Sequence, residues 1–440
     1  MSDVAVPSFA GAVRAAAKRG ELVVQPRMGF ADPVRMRAGL LATRAANATT
    51  VGTITLDSYT RVGDLAALRR AAADGSELNG YPIVTTDRAV TAALLADARS
   101  GGFPVQVRHG SATPEPIVDA LADLAVDATE GGPVSYCLPY GRVPLSRSVH
   151  SWAAATRRFA ELGERGLTPH LESFGGCLLG QLCPPALLVA VSVLEGMFFR
   201  QHGIRSVSLS LAQQTSPAQD LEALHALHAT AARYLSDVDW HVVLYAYMGM
   251  YPRTPDGAAR LLASSARLAV RGGAARLIVK TEAEAHRIPT VAENVTALEH
   301  AAAAAAVAGP WPEPAPDTGL YAQAVALIEG VLELGTDLGT ALVRAFAGGL
   351  LDVPFCLHAD NAGRARSYVD DDGWLRWSSV GSMPIEPDGT NDGRGPVRSA
   401  DLLAALAYTR HHYDEGRDFV SGASGASHRI QGDRACEGAS

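Results

Sequence analysis

Two short stretches of this 440-residue chain hold side chains that hydrophobic packing does not call for. Pro104–Gly110 reads PVQVRHG, an apolar run that delivers Arg108 and His109 side by side. Glu130–Tyr140 reads EGGPVSYCLPY, with Glu130 followed by Tyr136 and then Tyr140. A guanidinium, an imidazole, a carboxylate and two phenols at the ends of consecutive strands would orient a small, doubly charged zwitterion. Arg27 and Arg61 follow two further apolar runs, LVVQ and TITL. Guanidinium forks bind carboxylates bidentately, so three arginines would hold both ends of a dicarboxylic acid. Glu130 would accept hydrogen bonds from an ammonium group, and the phenols would donate without adding charge. Gly131 and Gly132 let another backbone or a ligand approach closely. Lys280 directly follows the apolar run LIV, and Glu284 lies four positions on, a spacing that also suits a surface ion pair on a helix.

These residues need a scaffold that gathers strand ends. The chain repeats a short β-branched run, a polar turn and a longer helical pattern. Strands are expected at Leu22–Gln25, Thr53–Leu56, Pro82–Thr85, Val105–Val107, Val134–Cys137, His170–Ser173, Val207–Ser210, Val242–Leu244 and Leu277–Val279. Helices are expected at Val62–Ala73, Thr91–Ala98, Pro116–Leu124, Ser151–Leu162, Pro184–Phe199, Pro217–Leu235 and Gly257–Arg271. Such alternation argues for parallel βαβ units. Nine strands compete for eight places, and Pro82–Thr85 has the weakest pattern. The expected fold is an α/β, (β/α)8 TIM barrel, in which chemistry collects at the C-terminal ends of strands. Arg27, Arg61, Arg108, His109 and Lys280 fall at or just beyond such ends. A doubly wound open sheet is the alternative, but no GxGxxG follows any strand.

Residues 1–319 are assigned to the barrel and residues 320–415 to a C-terminal, helix-rich appendage packed on it. Helices there are expected at Gly319–Leu334, Gly339–Gly348 and Ala400–His411, after one at Val291–Ala308. A polar segment rich in Asp, Gly and Pro runs from His358 to about Arg398. Residues 416–440, ending SGASGASHRIQGDRACEGAS, read as a disordered tail.

With 48% hydrophobic and 19% charged residues, the composition is that of a soluble globular protein. A net charge of −8 and the lack of a basic stripe exclude nucleic acid as a partner. No signal pattern and no apolar run of membrane-spanning length is visible, so no membrane association is expected. Five cysteines without CxxC spacing fit a reduced, cytoplasmic protein. No metal site is expected. His225 and His228 lie three apart without a third ligand and read as a solvated helix face, and Asp370–Asp372 before Gly373 reads as a turn.

Segment by segment, the chain resembles the large (epsilon) subunit of glutamate mutase, or methylaspartate mutase. The matching segments are QPRMG (Gln25–Gly29), LDSYTR (Leu56–Arg61), LNGYP (Leu78–Pro82), QVRHG (Gln106–Gly110) and EGGPVSYCLPY. The series continues through ESFGG (Glu172–Gly176), VKTEAEAHRIPT (Val279–Thr290), DVPF (Asp352–Phe355) and the NAG…DDDGWLR stretch (Asn361–Arg376). Any one motif is weak, but the ordered series is specific. The resemblance implies a TIM barrel that interconverts L-glutamate and (2S,3S)-3-methylaspartate by radical fragmentation and recombination. The cofactor implied is adenosylcobalamin. It is shared with a small subunit carrying a DxHxxG motif, which this chain lacks, in a heterotetramer built on a dimer of large subunits. Position by position, Arg27, Arg61, Arg108, His109, Glu130, Tyr136 and Tyr140 match the family's glutamate-binding residues. Gly29, Asn79, Pro139, Tyr251, Lys280, Glu284 and Ile288 match positions lining the cofactor, and Thr55 and Phe174 fall where the family places further pocket wall. Glu130, Lys280 and Glu284 are the residues implied to serve the chemistry. The chain departs from the family at Tyr251, usually phenylalanine, at Pro133, usually glycine, and at Cys137, usually asparagine. Two alternatives stay open: a mutase of an altered dicarboxylate such as 2-oxoglutarate, and a catalytically silent barrel that only accompanies a cobalamin-binding partner.

Overall fold

A computed structural model describes residues 8–76, 78–139, 141–177, 182–311, 314–387 and 398–416. Eight short parallel strands form one sheet: β1 (Val23–Gln25), β2 (Gly52–Thr55), β3 (Val105–Arg108), β4 (Ala128–Gly131), β5 (His170–Ser173), β6 (Ser206–Ala212), β7 (Asp239–Tyr245) and β8 (Arg276–Ile278). Their order is β1-β8-β7-β6-β5-β4-β3-β2. A single bridge, Val24 to Thr50, closes the seam between β1 and β2. The sheet is therefore the expected (β/α)8 barrel, with the seam held by one bridge and by Thr55 N–H donating to the Met28 carbonyl at 2.8 Å.

Two strand expectations need correction. Val134–Cys137 is not a strand; it coils into helical turns in which Tyr136 N–H donates to the Gly132 carbonyl and Leu138 N–H to that of Val134. The fourth strand is Ala128–Gly131, whose sequence ATEG lacks the apolar run of a buried strand. Pro82–Thr85 is a turn, anchored by a lone bridge from Tyr81 to Leu56. The structural reason is the barrel interior, which is polar. Gln25, Gln106, Glu172 and Arg276 cross-link β1, β3, β5 and β8 inside it, with Gln25 Nε2 donating to Gln106 Oε1 at 2.8 Å. Strands that feed such a network do not show continuous hydrophobicity.

Helices α1 (Phe9–Lys18), α2 (Pro33–Ala45), α3 (Ser58–Val62), α4 (Leu65–Ala73), α5 (Arg88–Arg99), α6 (Glu115–Asp123), α7 (Leu145–Ala160), α8 (Pro185–Gln201), α9 (Pro217–Tyr234), α10 (Pro255–Arg271) and α11 (Val291–Ala306) accompany the barrel. The run expected as one helix at Val62–Ala73 is two, because Gly63 takes a left-handed conformation at φ +76° and ends α3. Serine or threonine caps followed by proline start α9 and α10, with the Ser216 and Thr254 hydroxyls accepting N–H groups of the first turn.

Helix α1 lies across the N-terminal mouth of the barrel. The Arg276 guanidinium stands 5.0 Å from the Phe9 ring centroid, the His170 ring lies 5.5 Å away, and Phe9 N–H donates to Asp127 at 3.2 Å. At the opposite side of the sequence, α12 (Leu320–Leu332) packs on α8 and α9, α13 (Leu338–Gly348) on α7 and α8, and α14 (Ser399–Asp414) on α10. This second layer explains α8, which is apolar around most of its circumference and buried from Pro185 to Phe199, Ser192 and Glu195 included. The polar segment between α13 and α14 holds an antiparallel hairpin, β9 (Arg366–Val369) with β10 (Leu375–Ser379). Its turn is Asp370–Gly373, where the Asp370 carboxylate accepts the N–H of Asp372 and of Trp374.

Among the described residues no helix is long and apolar enough to cross a membrane, and no cluster of acidic, histidine or cysteine side chains suits a metal ion. Cys137, Cys177, Cys183 and Cys356 are buried and unbonded to one another. His228 is not on a solvated face: its ring packs 5.7 Å from that of Trp240. The tail at residues 417–440 lies outside the described residues.

Candidate active site

The site is built where β2, β3, β4, β5 and β7 end. Arg108, the last residue of β3, is buried and donates from Nε to Glu130 Oε2 at 2.6 Å. Glu130 also accepts the Tyr245 hydroxyl at 2.8 Å and that of Tyr136 on its other oxygen. Tyr136 reaches it from the helical turn after β4, not from a strand end. Gly131, at φ +140°, allows the chain to leave β4 sharply enough for this, and a Cβ there would strike Trp152. Burial pushes both phenols well above their usual pKa, with the Glu130 charge adding to the effect, so each is a neutral donor.

One layer down, Glu172 of β5 accepts from Arg276 and shares the single Tyr245 hydroxyl proton with Glu130. Burial works to raise the Glu172 carboxyl, but the Arg276 and Arg108 guanidiniums outweigh it and hold the group below its usual range. Burial likewise works against the Arg108 charge, and the Glu130 carboxylate more than offsets it. Buried charges are retained here because each has a partner and further hydrogen bonds.

His109 is buried, with its ring stacked on Trp152 at 5.7 Å and edge-on to Tyr136 at 5.4 Å. Its Nδ1 accepts the Ser111 N–H at 3.2 Å, which assigns the hydrogen to Nε2, and Nε2 has no partner. Burial, reinforced by the charges of Arg61 and Arg108, pushes its pKa down to about 3, so it is a neutral donor. Arg61, on α3, packs against Gly110, and its buried Nε is also without a partner. The Thr55 hydroxyl at the end of β2 is a third unpartnered buried group. Other buried polar atoms of the molecule also stand without partners, but these three are grouped at the ends of β2 and β3 and on α3, where a polar ligand would satisfy them.

A second cluster sits across the mouth. Arg27 pairs with Glu284 at 3.1 Å, and Glu284 also accepts the Thr281 N–H at 3.0 Å. Lys280 and Glu284 are thus not an ion pair of their own; the Lys280 ammonium stands 4.5 Å from the Tyr251 ring centroid. Burial pushes the Lys280 pKa down to about 8, with Arg27 adding to it and Glu284 opposing. Gly29 and Ile288 line one cavity of about 380 Å³ with Leu78. Gly29 packs on the Thr55 carbonyl, where a Cβ would collide. Asn79 is exposed, and its side chain accepts the Ser58 N–H at 2.9 Å. Phe174 wedges between Tyr136 and Tyr245, 5.1 and 5.3 Å away. Pro139 is half-buried in the turn after Tyr136, and Tyr140 lies outside the described residues. The sequence did not single out Tyr245 or Arg276 and noted Glu172 only within the ESFGG segment. Only Arg276 left a signal, as a charge within the run ARLIV.

The profile of the family described as Methylaspartate mutase E chain (MutE) matches residues 6–396. This chain belongs to that family. Among curated relatives, the glutamate mutase epsilon subunit of Escherichia coli O157:H7 is 30% identical over 400 residues, covering 86% of this chain and 82% of that one. The glutamate mutase epsilon subunit of Halobacterium salinarum is 33% identical over 353 residues, covering 76% and 72%. Among solved structures, the spore coat polysaccharide biosynthesis protein spsE of Bacillus subtilis gives a TM-score of 0.38 at 11% identity, over 67% of this chain and 72% of that one. For this MutE-family chain the barrel assignment rests on its own eight-stranded sheet.

Proposed function

We propose that this chain is the large subunit of an adenosylcobalamin-dependent mutase that interconverts L-glutamate and (2S,3S)-3-methylaspartate. The observation that carries this reading is the pairing of unpartnered donors, Arg61 Nε and His109 Nε2, with the buried carboxylate Glu130. The donors suit a carboxylate and Glu130 suits an ammonium group. Arg108 adds a guanidinium whose Nε is committed to Glu130 and whose Nη2 donates to Tyr245 at 3.1 Å.

The second cluster fits the adenosyl end of the cofactor. Glu284 offers acceptors to a ribose, Lys280 offers donors held against Tyr251, and the cavity at Gly29 and Ile288 opens beside them. When bound, the cofactor would supply the hydrogen-atom abstraction. The protein's own work is positional. A rearrangement that parts the carbon skeleton needs both carboxylate-bearing pieces kept in register so that they rejoin one way. Arg61, His109, Arg108 and Arg27 would hold the carboxylates, and Glu130 the amino group. Tyr136, Phe174 and Tyr245 would keep water from the pocket floor. The exposed apolar residues Val34, Val62, Met250 and Ile288, which all follow strand ends on this side, favour a partner subunit covering the mouth.

The test combines the chain with a small DxHxxG subunit and adenosylcobalamin under anaerobic conditions and adds L-glutamate. Formation of 3-methylaspartate with a glutamate-dependent electron paramagnetic resonance signal is the expected outcome, and Arg108→Met should abolish both. Turnover of 2-oxoglutarate but not L-glutamate would replace the substrate. Silence with both, in an assembled complex, would overturn the enzymatic reading.

A further inference from the structure

Glu195 stands apart from the substrate-facing set, midway along α8 and fully buried. Its carboxyl receives four hydrogen bonds, all from donors. The N–H groups of Val134 and Ser135 reach Oε1 at 3.1 and 2.9 Å, and the hydroxyls of Ser135 and Ser173 reach Oε2 at 3.0 Å each. Three of the four belong to the turn that follows β4, and the fourth to the end of β5. A Cβ on Gly132 would collide with this carboxyl, so the glycine is what lets the turn close onto α8. From the other side, the Ser148 hydroxyl of α7 donates to the Pro133 carbonyl at 2.8 Å. The chain then coils directly to Tyr136, whose N–H is tied to the Gly132 carbonyl at 3.2 Å and whose hydroxyl donates to Glu130.

We propose that Glu195 is a positioning residue: as a carboxylate it clamps the Gly132–Tyr136 turn so that the Tyr136 phenol meets Glu130, and taking up a proton releases that wall of the pocket. Its kinetic consequence rests on the substrate reading above; its geometry does not. The physical reason is the donor set. A carboxylate accepts all four hydrogen bonds, whereas a protonated carboxyl brings a fifth donor into a space with only donors around it. At least one serine hydroxyl must then reverse, and the tether loses a contact. Burial pushes the Glu195 carboxyl up to about 7, while the four hydrogen bonds favour the charged form. The groups bonded to it come from the turn and from β5, and none of them titrates, so burial and this donor set govern its protonation.

The test compares wild type with Glu195→Gln, a near-isostere that fixes the neutral state. Amide hydrogen exchange of the peptide spanning Gly131–Leu138, corrected for intrinsic rates, is followed on both sides of pH 7. Wild-type protection should fall as the pH drops through about 7. In Glu195→Gln it should sit at the low, acid-side level throughout. In the complete enzyme with partner subunit and cofactor, KM for L-glutamate should rise on the order of tenfold, the scale of one lost hydrogen bond, with kcat less affected and the acid limb of the KM profile gone. Protection and KM that track wild type across the range would overturn the proposal. If Glu195→Gln does not fold, Ser173→Ala removes one donor to the carboxylate and should move the wild-type midpoint to higher pH; an unmoved midpoint would overturn the proposal equally. The expected exchange pattern in an enzyme that never turns over L-glutamate would support the clamp and sink the substrate reading instead.

Discussion

At the scale of single residues, the buried charges of Arg108, Glu130, Glu172 and Arg276 are answered by specific neighbours, and the groups at the candidate site that are not so answered are informative. Arg61 Nε and His109 Nε2 are buried without partners, which is tolerable only if something else supplies the acceptor. Arg61→Met should therefore raise KM for L-glutamate by about 10- to 150-fold, the cost of one charge-assisted contact of roughly 1.5–3 kcal/mol, as steady-state kinetics would register. Glu130→Gln should discriminate between substrates: activity on the amino acid falls while binding of a dicarboxylate without an ammonium group is kept. Lys280 carries the opposite lesson. Its folded pKa, pushed down to about 8, lies below its unfolded value, so the folded state binds the proton more weakly than the unfolded chain. Its burial penalty is present in full below about pH 8 and is relieved as the pH rises towards the unfolded pKa. Lys280→Met should accordingly raise Tm by a few degrees at neutral pH in a thermal melt, while weakening cofactor binding. A stabilised protein with undiminished cofactor affinity would argue that the ammonium group does nothing at the mouth.

At the scale of elements, the chain was legible where packing is apolar and opaque where it is polar. The runs around Val105–Val107, Val207–Ser210 and Val242–Leu244 announce strands because Val105, Val107, Val207, Leu209, Val242 and Leu244 all enter the apolar core, even where Gln106 and Ser208 between them feed the polar interior. Strand β4, reading ATEG, did not announce itself, since the space it faces is filled by Gln106, Glu172 and Tyr245. Val134–Cys137 carried a strand's composition, but Gly131 and Gly132 before it and the Glu195 tether beside it impose a coil. Tyr245 lies inside the apolar run VVLYAY, so nothing in its spacing separates it from a core aromatic. The ordered motifs located the candidate site nonetheless, because they mark strand ends even where the strands themselves are faint. The polar layer beneath the site should be brittle. Arg276→Met leaves the buried Glu172 without its cation and should cost about 3–5 kcal/mol in equilibrium unfolding. Replacing both partners by apolar residues of matched size should recover much of that loss. Equal destabilisation by single and double variants would show that the pair is not coupled.

At the scale of the whole molecule, the two ends of the barrel differ. Its C-terminal mouth carries the candidate site, whereas its N-terminal mouth is sealed by α1, with Phe9 set beneath Arg276 and His170. Deleting residues 1–19 should expose the polar layer to water, lower the unfolding midpoint and speed amide exchange at the N-terminal ends of β5 and β8, with the candidate site at the far end affected less. Unchanged exchange there would mean that α1 is ornament. The same arrangement sets an order of events during synthesis. Helix α1 leaves the ribosome ahead of its seat, which is finished only when Asp127, His170 and finally Arg276 have been made, the first of these contacts already spanning 118 residues. At ordinary elongation rates that is a wait on the order of tens of seconds with Phe9 and Val13 unburied. Helix α1 is thus made before any part of its seat and docks only after all of it exists, and for that interval the nascent chain is a client for whatever shields exposed apolar helices in the cell.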